Sequence, residues 1–149
     1  MRPRLGRLRA RPEFLQVAAA GRKWSTPGLV LQAGKAEPRR PRAAAAAAEA
    51  AGPAEATAQQ ESIRVGFTAS RKVGGAVARN RAKRRLRALA AEILPVQGRP
   101  GTDYVLIGRP ATVTRPFALL RQDLEQAVEG VERRRERRRE RRREEAPAP

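Results

Sequence analysis

The chain has 149 residues, with 33 Lys and Arg against 15 Asp and Glu, a formal net charge of +18, and neither Cys nor His. These absences exclude a disulfide framework, a thiolate nucleophile, the usual zinc and copper sites and any His-based acid–base mechanism. Asp occurs only at Asp103 and Asp123, and most Glu residues lie in two compositionally biased stretches, so a two-metal hydrolytic centre has almost no carboxylates to draw on.

Residues 11–20 predict a short helix. Pro12 suits its first turn, Glu13 favours the N-terminal dipole, and Phe14, Val17 and Ala18 share one face. Gly21 is the expected stop. Between Trp24 and Ala33 the run Leu29, Val30, Leu31 suits a strand or strands, with Pro27 and Gly28 turning the chain just before it. Residues 35–60 are almost wholly Ala, Pro, Arg, Glu, Gly and Gln, with six consecutive alanines at 43–48, and read as a low-complexity insertion loop. Order resumes at 63–70. There Ile63, Val65, Phe67 and Ala69 alternate with Arg64, Gly66, Thr68 and Ser70, the period-two pattern of a half-buried strand. Gly74 and Gly75 break the chain. A helix over 80–94, ended by Pro95, places Ala82, Leu86, Leu89, Ala90 and Ile93 on one face and Asn80, Lys83, Arg84 and Arg87 on an adjoining one. Residues 104–107 form a buried strand. The last helix, 117–131, turns Phe117, Leu120, Leu124 and Val128 inward.

The order αβββαβα predicts an α/β (α+β) two-layer sandwich, a small mixed four-stranded sheet packed with three helices. The single domain comprises 1–34 and 61–131, interrupted by the 35–60 insertion and followed by an Arg/Glu-rich C-terminal extension at 132–149. Within 132–145 there are nine Arg and five Glu, with Glu132, Glu136, Glu140 and Glu144 spaced every four residues. A solvent-exposed continuation of the last helix and a disordered tail are both open readings of it. No apolar run approaches the ~18 residues of a membrane span, and the basic N-terminus lacks the apolar core of a secretory signal. A soluble, cytoplasmic protein with no membrane contact is expected.

Residues 64–87 hold nine basic side chains and no acidic one. An ordinary exposed helix face mixes signs, because opposite charges three or four residues apart stabilise it and like charges repel. Unneutralised positive charge of this density points to a polyanionic partner, with nucleic acid the first candidate. Neither phosphate-cradling glycine signature, G-x-x-x-x-G-K-[ST] or G-x-G-x-x-G, is present.

The stretch RVGFTASRKVGGAVARNRAKRRLR, residues 64–87, closely resembles the signature of the bacterial ribonuclease P protein subunit, whose RNR motif falls on Arg79, Asn80 and Arg81. Weaker similarity extends over 5–33 and 103–128, including YVLIGRPA at 104–111. The resemblance implies an accessory subunit of an endoribonuclease, which binds a catalytic RNA and removes the 5′ leader of precursor tRNA. It implies Mg2+ held by the RNA, no catalytic or metal-binding residue in the protein, and no cleavage by the protein alone. It assigns the catalytic RNA to Ser70, Arg71, Lys72, Arg79, Asn80, Arg81, Lys83, Arg84 and Arg87. The leader is assigned to a cleft between sheet and first helix, with Phe14, Val17, Gln32 and Arg64 as its contacts and Phe14 able to stack on a base. Ala18 and Gln32 stand where relatives commonly carry aromatics. No protein partner is expected. The rival reading is an architectural protein that binds structured RNA and has no part in cleavage.

Overall fold

The computed structural model describes residues 5–36 and 62–145. The 35–60 insertion lies outside the described residues except for Lys35 and Ala36, and Lys35 closes a strand instead of opening the loop. The elements in chain order are β1 (Leu5–Arg7), α1 (Arg11–Ala19), β2 (Arg22–Ser25), β3 (Leu29–Lys35), β4 (Ile63–Thr68), α2 (Ala76–Gln97), β5 (Thr102–Gly108), α3 (Pro110–Thr114) and α4 (Phe117–Glu145). The α/β class holds, but among the described residues the sheet has five strands and there are four helices. The additions are the shortest strand, β1 with three residues, and the shortest helix, α3 with five, each too brief to display a hydrophobic period.

The sheet order is β1-β4-β5-β3-β2, with β1 and β5 parallel to β4, and β3 antiparallel to both β5 and β2. Alternation along these strands divides the side chains between two faces. On one face Leu29, Leu31, Ala33, Ile63, Val65, Tyr104 and Leu106 meet the apolar stripes of α2 and α4 in the main core. Helix α2 contributes Ala82, Leu86, Leu89, Ala90, Ile93 and Leu94, and α4 contributes Leu120, Leu124, Ala127, Val128 and Val131, all buried. Truncating one of these leucines to Ala removes about 2–5 kcal/mol through lost burial and the cavity left behind. Tyr104 is fully buried, and its Oη accepts a hydrogen bond from the Arg99 N–H at 2.9 Å.

The opposite face is covered in part by α1. Phe14 and Val17 pack with Leu8, Val105 and Ile107 in a smaller cluster. Two glycines make this approach possible. A Cβ on Gly66 would lie 2.3 Å from Phe14 Cε1, and one on Gly34 would lie 3.1 Å from the Ala20 Cβ and 3.3 Å from the Val17 Cα.

Helix α2 extends beyond its predicted bounds at both ends. It begins at Ala76 against the N-cap Gly75, with Val77 80% exposed, so its first turn carries no apolar stripe to announce it. It also runs through Pro95. So near the C-terminus the missing N–H costs only the bond to the carbonyl of exposed Ala91, and Gly98 closes the helix by donating to the Leu94 carbonyl at 2.8 Å. Helix α4 continues past Val131 to Glu145, which resolves the C-terminal extension in favour of helix through that residue.

Candidate nucleic-acid interface

The strand–turn–helix unit β4–α2 positions the basic signature. After β4 the chain makes two tight turns, with Val73 N–H donating to the Ser70 carbonyl at 3.0 Å and Gly74 N–H to the Arg71 carbonyl at 3.1 Å. The Ser70 hydroxyl accepts from the Lys72 N–H at 3.3 Å. Gly74 adopts φ +142°, a conformation that disfavours any residue with a Cβ, and it delivers the chain to the start of α2. Ser70, Arg71 and Lys72 are all exposed on this turn.

The first turn of α2 holds no acidic residue, and Gly75 supplies no side-chain cap. The free N–H groups and the positive end of the helix dipole therefore face solvent without an internal anion. Asn80, Arg81, Arg84 and Arg87 are exposed, and Arg79 and Lys83 are half-buried. Arg79 Nε is buried with no hydrogen-bond partner among the described residues. Arg85, in the same run, serves the fold instead, its guanidinium donating to the carbonyls of Thr112, Val113 and Arg115 at 2.6–2.9 Å.

At the edge of the sheet these cations border a cleft that also holds Phe14. Strand β1 pairs with β4 only as far as Arg7 opposite Val65, followed by one further bond from the Leu8 N–H to the Val65 carbonyl at 3.0 Å. Gly66, Phe67 and Thr68 are thus left as an edge, beside a cleft of about 340 Å³ lined by Arg7, Leu8, Arg9, Phe14, Phe67, Lys83 and Arg87. The cleft wraps the sheet edge, with Phe14 reaching it from the α1 face and Lys83 and Arg87 from the α2 face. Four cations, two aromatic rings and no carboxylate line it. Rings flanked by guanidinium and ammonium groups suit a stacked base with its phosphates nearby.

Of the residues assigned to the leader, only Phe14 lines this cleft. Val17 is 2% exposed and packs with Leu8 and Val105, so it forms support beneath the surface and offers no contact of its own. Gln32 lies in register with Val105, which in turn faces Gly66, placing it half-buried on the α1 face two strands away. Arg64 is bound to Asp103 through Nε at 2.8 Å and Nη2 at 2.7 Å. Sequence reasoning missed Arg7 and Arg9. Both sit in an N-terminal run so uniformly basic that no pattern distinguishes them; the only signal was their position beside Leu8, before the helix. Phe67, expected in the core, packs against the core and also forms a cleft wall.

Both aspartates are closed by arginines: Asp103 by Arg64, and Asp123 by Arg115 Nε at 2.7 Å. Among the described residues no three His, Cys, Asp or Glu side chains come together as a metal site. No helix among the described residues is long and apolar enough to cross a membrane.

The comparison with known proteins points the same way. A family model described as Ribonuclease P matches residues 2–132. The chain is 47% identical over 132 residues to the ribonuclease P protein component of Paramagnetospirillum magneticum, covering 88% of this chain and 86% of that protein. It is 49% identical over 122 residues to that of Ruegeria pomeroyi, covering 81% and 82% respectively. In structure it is similar to the RNase P protein from Thermotoga maritima, with a TM-score of 0.58 at 22% identity over 82% of this chain and 94% of that one. It is also similar to the Staphylococcus aureus RNase P protein, with a TM-score of 0.54 at 18% identity over 83% and 92%.

Proposed function

The chain belongs to the ribonuclease P protein family, subunits of the ribonucleoprotein that acts in tRNA processing, and from that premise we propose that its basic turn and α2 dock the catalytic RNA while the sheet-edge cleft takes the 5′ leader of precursor tRNA. The observation that carries this reading is the continuity of the two surfaces. Lys83 and Arg87 lie both on the α2 face and in the wall of the cleft that holds Phe14. A strand entering the cleft is therefore gripped by the same helix that meets the catalytic RNA.

In this reading Ser70, Arg71, Lys72, Arg79, Asn80, Arg81, Lys83, Arg84 and Arg87 bind catalytic-RNA phosphates and riboses. Phe14 stacks on a leader base, with Arg7 and Arg9 neutralising its phosphates and Gln32 contacting the strand further across the sheet. The protein positions; the phosphodiester chemistry belongs to Mg2+ held by the RNA, as the closed aspartates favour. The protein alone cleaves nothing, and the particle works in the cytoplasm.

The test is cleavage of leader-bearing precursor tRNA by catalytic RNA at low millimolar Mg2+, with and without the protein. A large protein-dependent rise is expected, with no cleavage by protein alone. Converting Arg79 and Arg81 together to Ala should weaken catalytic-RNA binding several-fold, each lost phosphate contact flattening the log–log salt dependence by about 0.7–0.9. Unchanged affinity and slope would remove these residues from the interface.

A further inference from the structure

The family match ends at residue 132, yet α4 continues to Glu145. At 1.5 Å per residue the segment 133–145 adds about 20 Å of helix. Its root is fastened to the domain. The Trp24 ring lies so close to Gly130 that a Cβ there would be 2.3 Å from it, and the Arg134 guanidinium sits 5.2 Å above the ring centroid while donating to the Lys23 carbonyl. Arg138 donates to the Ala20 carbonyl at 2.7 Å, where α1 ends.

Beyond this anchor the charge pattern acts on the helix in two opposing ways, since Glu136 and Glu140 each have Arg three residues before and after them, which supports the helix, while the i,i+4 pairs oppose it. Glu at every fourth position makes all i,i+4 pairs from 132 to 144 like-charged, Glu with Glu or Arg with Arg, the arrangement that destabilises a helix. The same spacing draws the arginines into rows, 133/137/141, 134/138/142 and 135/139/143. Successive members of a row are about 6 Å apart along the axis, comparable to the separation of neighbouring phosphates on a nucleic-acid strand. Arg137, Arg139, Arg141, Arg142 and Arg143 are exposed and make no ion pair or hydrogen bond among the described residues.

A second observation lies at the root. Arg22 is 8% exposed, and its Nη1 is buried without a hydrogen-bond partner among the described residues. Burial first, and repulsion from Arg135 second, lower its pKa, while Glu132 opposes them. Glu132 is also paired with Arg99 at 3.3 Å and Arg135 at 4.0 Å. One carboxylate serves three guanidinium groups, and the corner has an excess of donors awaiting an anion.

We propose that the arginine rows of the C-terminal extension, with the Arg22 corner at their root, form a second RNA-docking surface that takes the phosphate backbone of a helical segment of the catalytic RNA. It runs along β2, at the opposite edge of the sheet from the cleft beside β1 and β4. Its side chains from 133 to 145 are all Arg or Glu, so it offers no aromatic platform for an unpaired base, and Arg134 covers Trp24. A straight rod with regular cation steps suits the backbone of a structured duplex and not a short single-stranded leader, which the cleft already accommodates. A protein contacted at both edges needs a large RNA partner. The inference rests on the reading that α2 faces the catalytic RNA.

The experiment measures affinity of the full chain for catalytic RNA across salt concentrations, then affinity of the assembled particle for precursor tRNA. Changing Arg137, Arg139, Arg141, Arg142 and Arg143 together to Gln keeps good helix formers in place. Catalytic-RNA binding should weaken about tenfold near physiological salt, with the log–log slope flatter by about 2–3, equivalent to about three lost contacts. Glu136→Gln with Glu140→Gln should shift affinity the other way. Unchanged affinity and slope in both variants, with Arg79→Ala/Arg81→Ala still weakening binding, would overturn the second surface and leave the proposed function standing. A loss confined to precursor tRNA would overturn it in favour of the tRNA as occupant. If the Arg79/Arg81 variant also bound normally, the reading of α2 itself would fall.

Discussion

Replacing Arg64 with Met separates two roles for one side chain, a strut of the sheet and a contact for the leader. Its guanidinium grips both oxygens of Asp103 across the parallel β4–β5 pair, where the two residues are in register. The Arg64 side chain is 24% exposed and that of Asp103 only 4%. Removing the cation leaves a carboxylate sealed in the sheet without its partner. Breaking a fully buried pair costs about 3–5 kcal/mol, and the partial exposure of Arg64 reduces this to about 2–3 kcal/mol. A domain of this size should then melt roughly 10 °C lower. Arg64→Met combined with Asp103→Asn removes both charges and should recover at least half of the loss, a coupling that a double-mutant cycle resolves. Urea melts of the parent, both single variants and the double variant provide the cycle. Precursor-tRNA binding by the folded proteins gives the other axis. The reasoning fails if Arg64→Met melts within about 0.5 kcal/mol of the parent, the range of an ordinary surface substitution, while precursor affinity falls tenfold. Arg64 would then act on the leader, and the ion pair would contribute nothing to folding.

Gly66→Ala puts a Cβ 2.3 Å from Phe14 Cε1, and that ring must move. We expect about 1–3 kcal/mol of destabilisation and selectively weaker binding of leader-bearing tRNA; equal effects on leader-bearing and leaderless tRNA would show that Phe14 does not serve the leader. Tyr104 has its pKa raised by burial, so the folded state holds the phenolic proton more tightly than the unfolded chain does. Stability from this group is complete below about pH 10, the unfolded value, and declines as pH rises from there toward the folded value. Tyr104→Phe should cost about 1 kcal/mol, by removing the acceptor for the Arg99 N–H, and should flatten that decline relative to the parent in urea titrations from pH 8 to 11.5; parallel pH profiles would contradict the assignment.

The parts of the fold legible from sequence are those where a long element buries one face. Ile63, Val65 and Phe67 alternate because β4 has helices on one side, and Leu86, Leu89 and Ile93 recur at helical spacing because α2 lies on that sheet. Strand β1 defeats such reasoning because its three residues are all exposed and gain their structure only from pairing with β4. The first turn of α2 is hidden for a related reason, since Val77 points to solvent and Gly74 and Gly75 look like an interruption. For the extension, the deciding contacts are nonlocal. Trp24 meets Gly130, and Arg138 reaches the Ala20 carbonyl across 118 residues of sequence, so local composition left helix and disorder equally open.

The candidate site divides along the same line. The α2 cations stand out in sequence because nine basic side chains without an acid violate the usual mixing of signs on a solvated face. The cleft does not, because it depends on where β1 stops. Ending the pairing with Arg7 opposite Val65 leaves 66–68 without a β1 partner and brings Arg7 and Arg9 into one cleft with Lys83, a convergence of residues more than seventy positions apart. The same backbone event explains why a chain so poor in carboxylates has a function to perform. Asp103 and Asp123 stabilise the interior by holding Arg64 and Arg115, while among the described residues the cations of the α2 face from Arg79 to Arg87 make no ion pair with an acid, and of those lining the cleft only Arg9 has a carboxylate, Glu13, at its backbone N–H. Both surfaces thereby carry an excess of positive charge among the described residues. On the proposed reading a phosphate backbone offsets that excess, and mutual repulsion among the cations becomes affinity and orientation for the RNA.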